Sequence, residues 1–595
     1  MRRTSPFLAV CAAALGMIAC SPTEEAPTAD EVQVQRDALG ALLEEQWEYT
    51  MRTSPEWASM LGDKRYNDQI SDFSEEAIET RLAESREFLE RFEAIDTSGF
   101  TVQEALNRDL MVHRLQRGIE GARFKPWRMP VNQMSGVHLM APQMVSMLSY
   151  TEVKDYDDLI ARYRKLPTAF DQTIDHMRKG MDEGLIPPKF LLEKVAQQAA
   201  GLAGMPAEAS PFAGPLASFP EGIPPEEQER IREEMLAAIR DDILPAYAGF
   251  TEFVRDEYAP AGREEPGMWS LPEGEERYAF LVKVQTTSDL TPEEIHQIGL
   301  AEVEALEEEM RRVASSLGYD DLESFNAALE GMPELRPQSR EEILEIYRGH
   351  IDGMYEKLPE LFGRLPQAKV EVLPVEEFRE REAAGAQYMR PAPDGSRPGR
   401  VMVNTNDPTA RKTIDMESTA DHEGVPGHHL QLTIAQELPE LPRFRQQGGY
   451  TSFSEGWALY SERLGKEVGF YSNPYSDYGR LQDEMLRAIR LVVDTGFHFK
   501  GWSREDVVQF FRDHSAIDEI TIQSETDRYI VWPGQALAYK IGQLKILELR
   551  ERAETELGEG FDVRAFHDEI LGAGALPLDV LEARIDAWIE LRKAA

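Results

Sequence analysis

Residues 421–429 of this chain cannot form a regular helix if the histidines near their two ends are to lie beside each other. Residues 421–429 read D-H-E-G-V-P-G-H-H, in which two glycines and a proline separate His422 from the adjacent His428 and His429. On an ideal helix, His428 would lie roughly 120° around the axis from His422, and His429 would lie nearly in line but about 10 Å further along. Proline breaks the helical hydrogen-bond ladder, and glycine adopts unusual dihedral angles. We therefore predict an interrupted helix that brings one of the later histidines back beside His422.

The number of residues that loop out decides which histidine returns. Looping out two residues favours His428, and looping out three, nearly a full turn, favours His429. Two imidazoles and a carboxylate are typical ligands of a catalytic zinc ion, which keeps a fourth position for water. Glu455 follows His428 by 27 residues, enough for one helix to end and the next to return. We predict that one zinc ion is held by His422, His428 and Glu455. His429 is the alternative ligand, and Glu423 is the predicted general base.

Each of these residues also has a purely structural interpretation. Glu455 follows Ser452 at the spacing of a capping box, S-x-x-E ahead of an apolar run. The later histidines could lie in a loop, and Glu423 could be a charge on a solvated helix face. A charged helix interrupted by glycine and proline is costly to build without a functional reason, so the metal site is favoured.

Four sequence blocks between Asp421 and Gly542 resemble one bacterial family. They read H-E-G-V-P-G-H-H, S-E-G-W-A-L-Y, D-T-G-F-H-F-K-G-W and R-Y-I-V-W-P-G-Q-A-L-A-Y-K-I-G. They look like the signature blocks of the bacterial domain of unknown function 885 family, many members of which are lipoproteins. That family is in turn similar to the glutamate-zincin peptidases, in which one helix supplies two histidines and the next a glutamate. The resemblance implies metallopeptidase chemistry and a two-lobed, zincin-like architecture.

The later blocks contain candidates for stabilising the reaction. Peptide hydrolysis places negative charge on the carbonyl oxygen, so a neutral or cationic donor opposite the zinc should stabilise it. His498 and Tyr529 suit this role, although a tyrosine in an aromatic-rich helix is more often part of a core. Further candidates for orienting the ligands or binding substrate are Asp421, Asp494, Arg528, Tyr539 and Lys540.

The N-terminus has the pattern of an export signal. A short basic start precedes an apolar run too short to span a bilayer, and the following I-A-C resembles a lipoprotein cleavage site. We predict a lipoprotein signal peptide over residues 1–19, and a lipidated Cys20 that begins a flexible tether over residues 20–35. Ser21 favours sorting to the outer membrane, facing the periplasm. The alternative is an ordinary secretory signal cleaved near the same position.

The net charge of −43 limits the partners of this chain. So acidic a surface repels phosphate, which argues against nucleic acid and leaves the lipid anchor as the only expected membrane attachment. The acidity reflects either a generally solvated surface or a cleft that attracts cationic peptides. The expected partner is a peptide or another amide substrate, and the sequence indicates no particular oligomeric state.

Helical periodicity is the most frequent pattern in the sequence. Thr291 and Ser339, each with a glutamate three positions later, mark two helix starts. Apolar residues recur at three- and four-residue intervals over residues 75–95, 102–121, 156–184 and 225–258.

Strand patterns are confined to the region before the metal motif. Residues 368–373, 386–389 and 400–404 predict a small antiparallel sheet. Its edge could hold an extended substrate by β-augmentation, or the hairpin could simply cover the core. The predicted fold is mainly α-helical, with an N-terminal helical lobe over residues 36–270 and a C-terminal catalytic lobe over residues 271–595.

These features together predict an exported zinc-dependent hydrolase, with a peptidase as the first interpretation. An amidase or imidase acting on a non-peptide C–N bond would use the same residues. A non-catalytic binding lipoprotein would keep the metal only as a structural element. Glu423 argues against this last interpretation, because a structural zinc site needs no such carboxylate and usually closes the fourth position.

Overall fold

The computed structural model of the protein describes residues 27–594, apart from residues 377–379, 381–382, 393–394 and 396. The predicted signal peptide, Cys20 and the first part of the predicted tether lie outside the described residues. The chain is mainly α-helical, as predicted, with one small sheet.

The described residues form 24 α-helices and three β-strands, joined in places by short 3-10 or π-helical turns. The helices are α1 Ala29–Thr53, α2 Pro55–Met60, α3 Glu75–Glu93, α4 Val102–Ala122, α5 Val137–Met147, α6 Val153–Tyr163, α7 Leu166–Glu183, α8 Lys189–Ala203, α9 Pro225–Ala238, α10 Leu244–Phe253, α11 Gly274–Thr286, α12 Pro292–Ser316, α13 Leu322–Glu330, α14 Arg340–Leu361, α15 Met416–Glu423, α16 His428–Gln436, α17 Arg443–Gln447, α18 Thr451–Glu467, α19 Pro474–Thr495, α20 Arg504–His514, α21 Glu519–Val531, α22 Leu537–Leu557, α23 Val563–Leu571 and α24 Leu578–Ala594. The strands are β1 Val370–Pro374, β2 Ala386–Met389 and β3 Gly399–Val403.

Most of the predicted helices are confirmed, although two of the four segments are divided. Residues 225–258 form α9 and α10, which are joined through the π-helical turn Ile239–Ile243. The segment predicted as a single helix over residues 156–184 is two helices, α6 and α7. Pro167 explains the break, because it lacks a backbone N–H and its ring would clash with the carbonyl of Tyr163 in a continuous helix. The predicted starts are also confirmed, since the side chains of Thr291 and Ser339 accept hydrogen bonds from backbone N–H groups at the third residue of α12 and α14.

Helix α1 begins before the predicted end of the tether. The sequence predicts a tether that reaches residue 35, but residues from Ala29 onward are helical. Thr28 and Glu31 form a capping box, in which the Glu31 N–H donates to the Thr28 hydroxyl and the Thr28 N–H donates to the Glu31 carboxylate. The cap satisfies backbone groups that a flexible tether would leave to water.

The sheet is mixed, so the prediction of an antiparallel sheet is wrong for one of its two pairs. The strand order is β1-β3-β2, with β2 antiparallel and β1 parallel to β3. The chain reverses direction between β1 and β2 and again between β2 and β3, so the first and third strands run the same way. Strands β1 and β2 are therefore the two edges of this sheet.

Three apolar cores fill the described part of the chain. The largest joins side chains of the first helices, such as Leu39 and Leu110, to side chains of the last helices, such as Leu549 and Ile589. A second core is built from residues between Val131 and Ala259, and a third gathers mainly around α12 and α19. The lobe boundary at residue 270 stays a prediction, and the largest core contains residues from both sides of it.

Two glycines let α18 approach α22 closely. A methyl group on Gly456 would lie 2.4 Å from the backbone of Gly542, and one on Gly542 would lie 1.9 Å from the carbonyl oxygen of Ser452. Any larger residue at either position would push the two helices apart. These glycines, from the second and fourth sequence blocks, thus set the position of α18, the helix that carries Glu455, against α22.

Candidate metal centre

The helix that begins the first sequence block is interrupted, as predicted. Helix α15 ends at Glu423 and α16 begins at His428, so the break spans four residues, 424–427, rather than the two expected to bring back His428. The Gly427 N–H donates to the carbonyl oxygen of Asp421 at 2.9 Å, which returns the chain toward the end of α15. A Cβ atom on Gly427 would lie 2.0 Å from the carbonyl oxygen of His422, so this close return requires glycine.

The loop brings three predicted ligands into one cluster. One ligand atom each from His422, His428 and Glu455 lies within 4.8 Å of the others. The Glu455 Oε2 atom is 3.6 Å from His422 Nε2 and 3.3 Å from His428 Nε2. Ligand atoms around a tetrahedral zinc ion with bonds of about 2.0 to 2.1 Å lie roughly 3.3 Å apart. The donor types and their spacing therefore fit one zinc ion.

His429 faces away from this cluster. Its Nδ1 atom lies 2.9 Å from the Tyr388 hydroxyl, and its Nε2–H donates to the carbonyl oxygen of Ala368 at 3.1 Å. Burial lowers the pKa of His429 to about 4, so the ring is neutral near neutral pH. The choice of His428 over the alternative ligand His429 agrees with this arrangement, in which His429 joins the helix to the sheet.

Glu455 lies in the second turn of α18. Hydrogen bonds to the carbonyl group of Pro426, in the loop between α15 and α16, hold this helix in place. The Trp457 indole N–H and the Ser461 hydroxyl both donate to this carbonyl oxygen, at 2.9 and 3.2 Å. The capping-box interpretation of Glu455 does not apply, because Tyr450 occupies the N-cap and makes no side-chain cap.

The electrostatics of the cluster favour a bound cation. Burial alone would raise the pKa of Glu455, but the His428 and His422 rings hold it well below its usual range. Burial alone would lower the pKa of His422, but hydrogen bonds to Glu455 and Glu462 raise it to about 10. The carboxylates thus stabilise positive charge on or between the histidine rings. Without a metal, protons on the rings supply this positive charge.

Glu462 is a site residue that the sequence reasoning missed. It is buried, and the His422 Nδ1–H donates to its Oε1 atom at 2.8 Å. With a metal bound in place of the Nε2 proton, this bond would hold the Nε2 lone pair of His422 toward the ion, which is how carboxylates orient zinc-bound histidines. Its spacing could have indicated this role, because positions 455 and 462 are seven residues apart and share one face of α18.

We predict that Glu462→Gln weakens zinc binding by about 10- to 100-fold without abolishing it. The amide no longer fixes the tautomer and orientation of His422 as firmly as the carboxylate does. Chelator competition on the folded protein measures the change. Glu467→Gln is the matched control, because Glu467 lies on the same helix as Glu462 but pairs with Arg550. Equal zinc affinity in the Glu462 variant and the control would contradict this role.

Glu423, the predicted general base, is a neighbour of the ligand His422 in the chain. It is the last residue of α15, directly after His422, and it is partly exposed. Its negative charge contributes to the raised pKa of His422. Among the described residues, its carboxylate makes no hydrogen bond or ion pair, so it is free to accept a proton.

Two predicted accessory acids are engaged in buried structural bonds. Asp421 accepts a hydrogen bond from the Tyr471 hydroxyl at 3.0 Å, and burial raises its pKa well above the usual range. Asp494 accepts from the Tyr278 hydroxyl at 2.6 Å and from the Gly534 N–H at 3.0 Å. Neither acid forms a hydrogen bond with a ligand histidine in the described residues, and Glu462 fills the orienting role predicted for them.

His498 and Lys540 are likewise fully engaged. The Nδ1 atom of His498 accepts from the Met268 N–H at 3.1 Å, while its Nε2–H donates to the Tyr529 carbonyl oxygen at 2.9 Å. The Lys540 ammonium is buried against Glu484 and Glu302, at 2.7 and 2.9 Å. The donor role of His498 stays a prediction that would require one of its two bonds to open.

Tyr529, Arg528 and Tyr539 belong to one charged network. The Tyr529 hydroxyl donates to Glu525 at 2.5 Å and accepts from Arg490 at 3.1 Å. Arg528 pairs with Glu525 at 3.1 Å and donates to the Tyr539 hydroxyl at 3.4 Å. The roles of these residues toward a substrate stay predictions.

The fold and the site together define a mainly helical protein with a candidate centre of two histidines and a glutamate. The chain belongs to a family of bacterial proteins of unknown function (DUF885), whose profile matches residues 55–585. Among the described residues, no helix has both the length and the apolar character needed to cross a bilayer.

Two solved structures share this fold. A candidate lipoprotein from Colwellia psychrerythraea is 29% identical, with a TM-score of 0.89 over 93% of this chain and 99% of that chain. A candidate lipoprotein of unknown function from Shewanella oneidensis is 17% identical, with a TM-score of 0.71 over 92% of this chain and 99% of that chain. No curated protein matches this chain.

Proposed function

We propose that the protein is a zinc-dependent peptidase with a zincin-like site. The observation that carries the proposal is the cluster of His422, His428 and Glu455, backed by the Glu462 carboxylate on His422. Two histidines flanking a helix interruption and a glutamate from a following helix are the ligand set expected for a glutamate zincin. Three protein ligands leave a fourth position open, which is typical of catalytic rather than structural zinc.

The residues around the cluster suit hydrolysis of an amide bond. When bound, zinc supplies a Lewis acid that polarises a carbonyl group and makes water acidic enough to ionise near neutral pH. Glu423 accepts the proton from the attacking water as its oxygen bonds to the carbonyl carbon. The same carboxyl group then delivers that proton to the leaving nitrogen as the C–N bond breaks.

Partial exposure of the cluster also supports catalysis. The side chains of His428 and Glu455 are 13% and 19% exposed, whereas His422 and its partner Glu462 are 5% and 2% exposed. The deeply placed pair would fix the geometry, and the more open pair leaves part of the cluster accessible to water and substrate. A purely structural metal would be expected to be enclosed by protein, with all its ligand positions filled by side chains.

A mixed peptide library tests the proposed activity. The zinc-loaded mature chain should release new amino termini from the library, and a chelator should stop the release until zinc is restored. A matching panel of non-peptide amides and cyclic imides separates a peptidase from an amidase or imidase. Zinc-loaded, folded protein that cleaves neither panel would contradict the hydrolase proposal and favour a metal-containing binding protein.

We also propose that the mature protein is a lipoprotein of the outer membrane that faces the periplasm. The proposal rests on the cleavage-site pattern at Cys20 and on the description of the related Colwellia protein as a candidate lipoprotein. Cys20→Ala behind a conventional cleavable signal should yield soluble periplasmic protein with unchanged turnover. Finding this variant still firmly in the membrane fraction would contradict attachment through the lipid alone.

A further inference from the structure

A second feature of the molecule is a cationic pocket that the metal chemistry does not use. The pocket has a volume of about 270 Å³, close to the lower end of small-molecule sites. It lies between the N-terminal helices α1, α2 and α4 and the segment that leads into α18. Its charged lining consists of Arg114, Arg117 and Arg445, and its aromatic lining includes Trp47 and Trp57.

None of the three arginines has a carboxylate partner among the described residues. Arg445 is only 5% exposed, and its guanidinium donates to the Asn107 side chain at 2.7 Å and to the carbonyl oxygen of Ala573. Its Nε atom is buried without a hydrogen-bond partner. Arg117 lies over the Tyr450 ring at 5.5 Å and forms no ion pair.

Carboxylates are abundant in this chain, yet none in the described residues pairs with these three arginines. The sequence has 107 acidic residues against 64 lysines and arginines. Arg443, on the same short helix as Arg445, pairs with Glu44 and Glu48. Burial lowers the pKa of Arg445 to about 10, which still leaves it charged near neutral pH. Arg445 is the buried member of the cluster, whereas Arg114 is exposed and Arg117 is partly exposed. The Asp579 carboxylate is close enough to raise the pKa of Tyr450, but it pairs with none of the three arginines. An anionic ligand would supply the partner that these guanidinium groups lack.

The position of the pocket connects it to the metal centre. Tyr450 lines the pocket and directly precedes α18, and Glu455 lies five residues further along. Five residues of helix rise about 7.5 Å along the axis, a length between two and three residues of extended peptide. Through Tyr450, the wall of the pocket is continuous along the chain with the helix that carries the proposed metal ligand Glu455.

We propose that this pocket binds a carboxylate of the peptide substrate, an inference that rests on the proposed peptidase function. Guanidinium groups bind carboxylates through two parallel hydrogen bonds, and three of them here surround one small volume. The tryptophan side chains at the wall would contact the apolar part of the same substrate residue. The carboxylate is either the C-terminus of the peptide or an acidic side chain near the cleaved bond.

A direct binding experiment tests the pocket apart from catalysis. N-acetylphenylalanine and its amide are titrated into the zinc-loaded mature chain and into the His428→Ala variant. The acid should bind more tightly than the amide to both proteins. Arg114→Gln and Arg117→Gln, which change side chains at the open side of the pocket, should each weaken binding of the acid by roughly 10- to 100-fold and leave the amide unchanged. Arg108→Gln, on α4 but outside the pocket lining, is the matched control.

The outcomes of this titration separate the two proposals. Equal binding of acid and amide, or a preference for the acid that survives both pocket substitutions, would overturn the carboxylate pocket. A preference that is lost with the pocket arginines supports it, even if no peptide is cleaved. Binding of the acid that depends on the metal ligands and not on the arginines would also overturn it.

Kinetics on a cleaved peptide then identify the source of the carboxylate. Matched substrates carry a free C-terminus, a C-terminal amide, or glutamine in place of a glutamate near the cleaved bond. The substrate that lacks the recognised carboxylate should have a higher KM than the parent peptide with the wild-type protein. With Arg117→Gln, the two substrates should have the same KM. If neither change alters KM or kcat in a protein that cleaves the parent peptide, the pocket does not recognise substrate.

Discussion

Replacing Glu423 with glutamine is expected to leave zinc bound and to lower peptide hydrolysis by roughly 10²- to 10⁴-fold. Glutamine has nearly the same size and shape, but it cannot accept a proton from the attacking water. Glu423 is absent from the group of three ligand atoms, and its carboxylate is free of other bonds among the described residues. The measurement pairs elemental analysis with turnover on one substrate.

Glu455→Gln is the matched comparison for this prediction. It makes the same chemical change on a residue that contributes a ligand atom to the cluster. We expect this variant to lose zinc affinity as well as activity, because a neutral amide is a poorer ligand than a carboxylate. If the Glu423 variant keeps both its zinc and nearly full turnover, the general base is another group and the proposed proton path is wrong.

The part of the site that sequence could predict depends on short-range geometry. Two glycines and a proline between His422 and the later histidines forbid a regular helix, so an interrupted helix followed from the residue order alone. Glu455 could be assigned because the second sequence block places it within one helix and one turn of His428. These features need only local backbone rules and the coordination preferences of zinc.

The choice between His428 and His429 could not be settled in the same way. Both loop lengths are sterically reasonable, and the outcome depends on contacts made far along the chain. The Trp457 and Ser461 side chains hold the loop through the Pro426 carbonyl. Tyr388, from a strand that precedes the motif, binds the ring of His429. Such partners are set by tertiary packing, which a single sequence does not reveal.

The accessory candidates show a second limit of sequence reasoning. His498 and Asp494 belong to a motif block and have polar side chains, but each is buried and bonded to backbone N–H or carbonyl groups. A polar residue that satisfies buried backbone groups has the same sequence signature as one that binds substrate. The parallel pairing of β1 with β3 was missed for a related reason, because strand order depends on how the whole connection folds back.

The largest effect on metal content is expected from His428→Ala. The wild-type chain should contain close to one zinc ion after reconstitution, and this variant should contain almost none. Two ligands remain in the cluster, and a site that loses one of three protein ligands binds zinc far more weakly. Activity should fall with the metal, and elemental analysis of the folded fraction measures the loss directly.

His429→Ala should show the opposite combination of effects. This variant should keep its zinc, because the ring of His429 lies against Tyr388 and the carbonyl oxygen of Ala368 rather than in the cluster. It should lose about 1 to 3 kcal/mol of unfolding free energy, since the substitution leaves buried polar groups without partners. Zinc content and denaturant unfolding of the two variants, measured side by side, give a crossed pattern that general misfolding cannot produce. Zinc retained in His428→Ala and lost in His429→Ala would move the ligand by one position and require the loop to close with a different register.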